Sequence, residues 1–472
     1  MTASPVASLD AKRKEHALTG GRPTDVGNGK RLIARHGEDL RYHVKEKRWY
    51  LWDGTRWAVD ETREIERLAM ETVTAMFVEA ARKNSDLRKE LNKHAEKSES
   101  ASGIRAMIER AGAEKGIPVV PGELDAHHLL FNCANGVVDL TTGDLKPHAR
   151  ELLMTKRSPA EYQETAACPR WLAFLDRVLA GDAELIAYVQ RAIGYTLTGV
   201  THEQCLHLLH GTGANGKSIF LDVFAALLGE YALTADFTTF LEQKHNDGPR
   251  ADLARLNGAR LVRSSEVGEG KRFNEARIKQ LTGSEVISAR FLYASEFEFK
   301  PTFKLWFAAN HKPVIRGTDH AIWRRVRLIP FTVTIPDEER RPYEELLNEL
   351  RDELSGILAW AVQGCLEWRA NGLRPPESVM AATAAYRGES DVLGTFLEET
   401  CELAAGYATP GKELYEAYKK WAAIGGEFEL SHIAFGRQLG ERGLAVRKSM
   451  GLNLRCGIRL MSGDGTRTQE LY

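Results

Sequence analysis

Gly211-Thr212-Gly213-Ala214-Asn215-Gly216-Lys217-Ser218 fills the pattern G-x-x-x-x-G-K-S, and the apolar run Cys205-Leu206-His207-Leu208-Leu209 stands just before it. The run reads as a strand and Ile219 to Leu228 as the helix that follows, which makes the eight residues between them a phosphate-binding loop. Its glycines let the backbone curl until successive N–H groups face phosphate oxygens. Lys217 neutralises β/γ charge, and the Ser218 hydroxyl offers a ligand to Mg²⁺. The dipole at the helix N-terminus favours the same anion. The fold class is therefore α/β, and the expected ligands are ATP and Mg²⁺.

Beyond the loop, the segment from Thr201 to about Pro336 alternates strand and helix patterns, and each apolar run ends on a residue with chemistry to offer. One strand runs from Arg260 to Glu266, another from Phe303 to Asn310, and a third from Val326 to Val333 behind the cluster Trp323-Arg324-Arg325. In doubly wound sheets such strand ends gather beside the bound nucleotide. Glu266 suits water activation or Mg²⁺ binding, with Glu269 as a fallback; a solvated or capping glutamate is the plainer alternative. Asn310 suits orienting that water, although an asparagine before His311-Lys312-Pro313 is also an ordinary turn residue. Arg324 and Arg325 fit an arginine finger supplied by a neighbouring subunit, against the simpler reading of a salt-bridged face.

The 472 residues, with 43 % apolar and 27 % charged content, suit a globular protein of about three domains. A net charge of −1 means that any nucleic-acid contact must come from local basic patches. The cysteines at 133, 168, 205, 365, 401 and 456 form no C-x-x-C pair, which argues against zinc and against a disulfide framework and fits a reducing compartment. No apolar run approaches the ~18 residues of a membrane span.

Residues 1–35 read as a disordered leader, 36–195 as a mostly helical collar with short hairpins, 196–385 as the ATPase motor and 386–472 as a winged helix. In the collar, Arg41 to Asp60 predicts two strands about the Asp53-Gly54 turn, with Trp49, Trp52 and Trp57 on the apolar face. That cluster is either hairpin core or a base-stacking surface. Asn135-Gly136 predicts a second hairpin. Within the motor, Ile287 to Lys300 alternates with period two, which predicts a hairpin turning near Ala294-Ser295. Arg290 and Lys300 on it suit phosphates, and Phe291 and Tyr293 offer stacking faces. Packing onto the motor is the plainer role of these aromatics. From Asp391 onward two helices and a two-strand wing are expected, with Arg437, Arg442, Arg447, Lys448, Arg455 and Arg459 opposed only by Glu441. The pattern suits duplex DNA or a protein partner.

Gly211 to Ser218, Glu266, Lys279 to Gly283 with Ala289 to Tyr293, Lys304 to Pro313 and Ile322 to Phe331 together resemble the superfamily 3 helicase domain of the phage/plasmid primase family, which includes the poxvirus primase-helicase type. The resemblance covers about Arg41 to Leu460. It implies an AAA+-type homo-hexameric ring with ATP between subunits and single-stranded DNA in the channel, moving 3′-to-5′. Lys217 and Ser218 then correspond to the Walker A pair, Glu266 to the Walker B acid, Asn310 to sensor 1 and Arg324 to the finger, with Arg325 as runner-up. The winged-helix pattern adds duplex origin DNA as a candidate ligand, and a phage, prophage or plasmid replication role implies host or phage replication proteins as partners and the bacterial cytoplasm as location. Ser265 stands where many members carry a second acid. No D-x-D pair of the archaeo-eukaryotic primase type occurs, so helicase rather than priming activity is expected. The rival readings are a primase-helicase and an origin-binding or loader ATPase that does not unwind.

Overall fold

The computed structural model describes residues 22–242, 251–265, 270–290, 296–315, 320–425, 429–449 and 452–461, and the chain is a mixed α/β protein. Residues 1–21 of the expected leader lie outside the described residues, and its remainder is corrected: Asp25–His36 form a helix capped by the Thr24 side chain. Gly27 and Gly29 obscure it in the sequence, since each costs a helix about 1 kcal/mol. Tertiary packing offsets that cost, because Leu32 is fully buried against Ile65, Ala69 and Met107. Three more helices follow at Glu64–Ala81, Ser85–Ser98 and Ala101–Ala111.

They pack on a small sheet of β1 (Leu40–His43), β2 (Arg48–Trp52), β3 (Trp57–Val59) and β4 (Pro118–Val119), in the order β3-β2-β1-β4. Three strands rather than two thus surround the tryptophans, because the charged stretch Lys45-Glu46-Lys47 makes an additional turn with Lys47 at φ 54°. Trp57 is fully buried, donates its indole N–H to the Arg150 carbonyl at 2.9 Å and lies under the Arg41 guanidinium. The cluster therefore includes a structural anchor between this sheet and the next segment.

That segment holds β5 (Leu130–Cys133), β6 (Gly136–Asp139) and β7 (Leu145–Lys146) as a meander. Cys133 pairs with Gly136, so the hairpin turns at Ala134-Asn135, one residue before the expected position. Gly136 opens the second strand, where only glycine fits, since a Cβ would lie 2.5 Å from the Lys146 carbonyl oxygen. The Asn135 amide instead bridges to the Tyr162 backbone, accepting at 2.8 Å and donating at 3.0 Å. Two helices follow, Pro169–Val178 and Ala183–Thr196, the second capped by Asp182.

The central sheet comprises β8 (Leu206–His210), β9 (Ala232–Thr234), β10 (Leu261–Ser265), and, beyond a hairpin of β11 (Ile287–Ala289) and β12 (Phe297–Phe299), β13 (Lys304–Ala309) and β14 (Val326–Pro330). All five of its strands are parallel, in the order β14-β8-β13-β10-β9. Leu206, Leu208, Leu305 and Phe307 join one core, while Leu209, Trp306, Ala308 and Ile329 join the other. This period-two division, with both faces covered, explains why the strands read as unbroken apolar runs.

The core on the second face also takes in Phe131, Trp171, Tyr188 and Val362. The expected boundary at 195/196 consequently cuts through one continuous core. Helix Leu354–Asn371, assigned to the motor by sequence, packs on Ala183–Thr196 so closely that a Cβ on Gly194 would lie 2.1 Å from the Cys365 nitrogen. Two buried cations tie the segments together at the N-terminal edge of the sheet. Lys304 donates to the Thr198 carbonyl at 2.6 Å and its hydroxyl at 3.1 Å. Arg260 donates to the carbonyls of Leu130, at 2.6 Å, and Leu197. Burial lowers the pKa of both.

The last unit comprises helix Val392–Thr400, β15 (Cys401–Pro410), helices Gly411–Gly425 and His432–Glu441, β16 (Val446–Ser449) and β17 (Leu452–Leu460). Its sheet order is β15-β17-β16, one strand more than expected, around a core that includes Phe396, Leu414, Tyr418, Phe435 and Ile458. Among the described residues, no helix is long and apolar enough to cross a membrane.

Candidate functional site

The Gly211–Ser218 loop leaves the C-terminal end of β8 and enters helix Lys217–Leu228. Its curl depends on left-handed backbone at Gly213 (φ 108°), Ala214 (φ 48°) and Gly216 (φ 83°). Gly216 has a second constraint, because a Cβ would come within 2.6 Å of Val178 on the preceding helical segment. Asn215 fastens the loop sideways by donating to the Phe331 carbonyl at 3.4 Å, and the Ala214 carbonyl accepts from the Ile335 amide at 2.8 Å.

Lys217 is 5 % exposed and donates to three neutral oxygens: the Gly211 carbonyl at 2.8 Å, Asn215 Oδ1 at 2.9 Å and Asn310 Oδ1 at 3.1 Å. Burial pulls its pKa down to about 8. A buried ammonium surrounded by neutral acceptors is a site prepared for an anion, which would supply the counter-charge that these oxygens lack. The loop and lysine accordingly fit the phosphates of a nucleotide, with Thr212, Ala214 and Ser218 on the exposed side. Ser218 is placed in the first helical turn, where a hydroxyl can join Mg²⁺ and phosphate oxygens.

The sheet brings Asn310 to this loop across a large sequence separation, since Ala309 pairs with His210 and Asn310 follows at the same edge. β10 also ends there, with Ser265 opposite Ala308. Glu266 and Glu269 lie outside the described residues, as do Phe291 and Tyr293.

The two arginines separate in role. Arg325 is buried, with its guanidinium bonded to Thr282 Oγ1 at 3.1 Å and the Ala321 carbonyl at 2.6 Å. These bonds within the chain correct the expectation of Arg325 as an alternative finger. Arg324 is exposed, and its Nη2 donates to Gln204 Oε1 at 2.8 Å. Both precede β14, whose Val326 pairs with Leu206 and Pro330 with His210. Arg324 is therefore at the edge opposite the phosphate loop, roughly 16 Å away along five residues of strand.

In the β11–β12 hairpin, Ile287, Ala289 and Phe299 face the core, whereas Arg290 and Lys300 are exposed. In the last unit Arg437, Arg447 and Lys448 are exposed as well, the first 3.6 Å from Glu441. The other three basic residues expected on that surface are engaged within the unit. Arg442 pairs with Asp391, Arg455 donates to the Leu444 and Gly436 carbonyls, and Arg459 pairs with Glu402. Gln204 had not been singled out in the sequence, where it appears as one more polar residue before a strand.

Residues 29–180 match the family described as D5 N terminal like, and residues 209–325 match a family of unknown function, DUF5906. A protein named "putative helicase" from Acanthamoeba polyphaga mimivirus is 24 % identical over 417 residues, covering 80 % of this chain and 43 % of that protein. Another "putative helicase", from Frog virus 3 (isolate Goorha), is 29 % identical over 269 residues, 53 % of this chain and 28 % of its own. A "putative primase" of African swine fever virus (strain Badajoz 1971 Vero-adapted) is 28 % identical over 240 residues, 46 % of this chain and 25 % of its own. The chain spans less than half the length of these curated relatives. The apo C-terminal region of NrS-1 aligns over 88 % of this chain and 95 % of its own, with 13 % identity and a TM-score of 0.46. The family matches and viral relatives bear out the resemblance read from the sequence.

Proposed function

We propose that this chain, similar to viral helicases and primases and carrying a D5 N terminal like segment, is an ATP-driven DNA helicase of a phage, prophage or plasmid replication system. The observation that carries this reading is the phosphate loop at one edge of a parallel sheet, with Asn310 bonded to Lys217, while Arg324 stands exposed at the other edge. An arginine roughly 16 Å from its own loop along β14 is poorly placed for that site but well placed for a neighbour's. This supports a homo-hexameric ring with ATP held between subunits.

In that ring Lys217 leaves its three neutral acceptors for the β- and γ-phosphates. Asn310, freed from the lysine, orients the attacking water, Glu266 takes the proton from it, and Arg324 of the adjacent subunit meets the charge that develops on the transferring phosphoryl group. Ser218, with Glu266 as the candidate acidic partner, would hold Mg²⁺, which would supply further charge neutralisation on the phosphates. The strand order supports an AAA+-type core. Arg290 and Lys300 would hold the phosphates of single-stranded DNA in the channel as the ring moves 3′-to-5′, with Phe291 and Tyr293 as candidate stacking residues. The C-terminal helices and β16–β17 hairpin support a winged helix offering Arg437, Arg447 and Lys448 to duplex origin DNA, with replication proteins as further partners in the bacterial cytoplasm.

The test is ATP hydrolysis with and without single-stranded DNA. Turnover that DNA stimulates in the wild type, that is absent in Lys217→Ala and that loses its DNA response in Arg290→Ala supports the reading; hydrolysis indifferent to DNA contradicts it.

A further inference from the structure

Gln204 closes a tight turn ahead of β8 with φ 49°, a left-handed conformation uncommon for a residue with a Cβ and worth a functional explanation. The turn is held on several sides. The Gln204 amide donates to the Thr201 carbonyl at 3.0 Å and the Glu203 amide to the Tyr195 hydroxyl at 3.3 Å. The Glu203 carboxylate accepts the Trp368 indole N–H at 2.8 Å, and the His202 ring stacks on Trp368 at 5.2 Å. From this fixed base the Gln204 side-chain oxygen accepts from Arg324 Nη2 at 2.8 Å and, more distantly, from Arg325 Nη2 at 3.5 Å.

We propose that Gln204 is a positioning residue for Arg324, ordering the exposed guanidinium at the subunit surface for entry into the neighbouring ATP site. The inference rests on the reading of Arg324 as a finger acting in trans. An exposed arginine loses rotamer freedom when it engages a transition state, and a bond made beforehand reduces that loss. The chemistry of the acceptor matters. A neutral amide oxygen takes one of the five guanidinium N–H donors and leaves the others and the full positive charge for phosphate. A carboxylate in the same place would form a charge-assisted pair and compete with the phosphate.

Two variants separate positioning from support of the fold. Gln204→Gly keeps a backbone at ease with φ 49° and removes the acceptor; kcat should fall about tenfold with the KM for ATP unchanged, the pattern of an interaction made only in the transition state. Gln204→Glu preserves the shape, yet kcat should fall about tenfold further, because the new carboxylate sequesters Arg324. A residue with only a structural role gives the reverse order, with the near-isosteric Glu milder than Gly, and that order overturns the proposal.

Mixed assemblies supply the second readout. Gln204→Glu subunits retain an intact phosphate loop, and Lys217→Ala subunits retain an intact finger. Mixing the two should restore hydrolysis above either alone, as should mixing Arg324→Ala with Lys217→Ala. If the Arg324 mixture complements and the Gln204→Glu mixture does not, the Gln204 inference fails and the finger reading stands. If the Arg324 mixture fails, the trans reading falls and the proposal with it.

Discussion

Raising the pH above about 8 should weaken nucleotide binding through Lys217 alone. In the nucleotide-free protein burial lowers this ammonium from its ordinary 10.5 to about 8, while it is bonded to three neutral oxygens. Triphosphate surrounds it with negative charge and raises its pKa again. Below pH 8 the lysine is protonated with or without nucleotide, so affinity should be level. Above pH 8 the free site has shed its proton and binding must restore it, so affinity should fall by up to about tenfold per pH unit, or about 1.4 kcal/mol. At pH 9.5 affinity should lie roughly 30-fold, about 2 kcal/mol, below its level well under pH 8, with proton uptake approaching one per site. Titration calorimetry with a non-hydrolysable ATP analogue at fixed free Mg²⁺, in two buffers of different ionisation enthalpy, reads both quantities. Lys217→Ala should bind weakly with no such slope. Affinity level to pH 9.5 with no proton uptake would refute the reasoning.

Arg324→Ala should lower kcat by roughly 10³-fold or more without changing the melting temperature, whereas Arg325→Ala should lower the melting temperature first, since it leaves the Thr282 hydroxyl and Ala321 carbonyl without that donor. Calorimetric melting beside steady-state hydrolysis separates them. Arg260→Ala should destabilise the protein by about 3 kcal/mol in chemical denaturation, because it empties a buried contact between the motor sheet and the Leu130 and Leu197 carbonyls. The paired change Arg447→Ala, Lys448→Ala should weaken duplex-DNA binding similarly across sequences and reduce the slope of log affinity against log salt by about 2, read by fluorescence anisotropy.

The phosphate loop, its strand and helix, and the two strands ending at Ser265 and Ala309 could be read from sequence, because sterically specialised glycines and long apolar runs leave few alternatives. Asn310 was legible for the same reason: it ends a strand whose neighbour carries the loop. What escaped was set by tertiary contact. β9, with three residues, lacks a pattern of its own and forms by pairing with β10. β15 is rich in Ala and Gly, poor strand formers, and contains a register shift between Leu403 and Ala408. The division between Arg324 and Arg325 depends on which guanidinium meets Thr282, a residue more than forty positions away. Half of the expected basic surface on the last unit proved to be internal pairing, and sequence spacing carries no mark that distinguishes Arg455 from Arg447.

Strand displacement on a forked DNA with a 3′ single-stranded tail, with ATP and Mg²⁺, bears most directly on the proposed motor. Wild-type protein should separate the strands, Lys217→Ala and Arg290→Ala should not, and a fork with only a 5′ tail should remain closed. DNA-stimulated ATP hydrolysis with no displacement on either fork would contradict a translocating helicase and favour an origin-binding or loader ATPase.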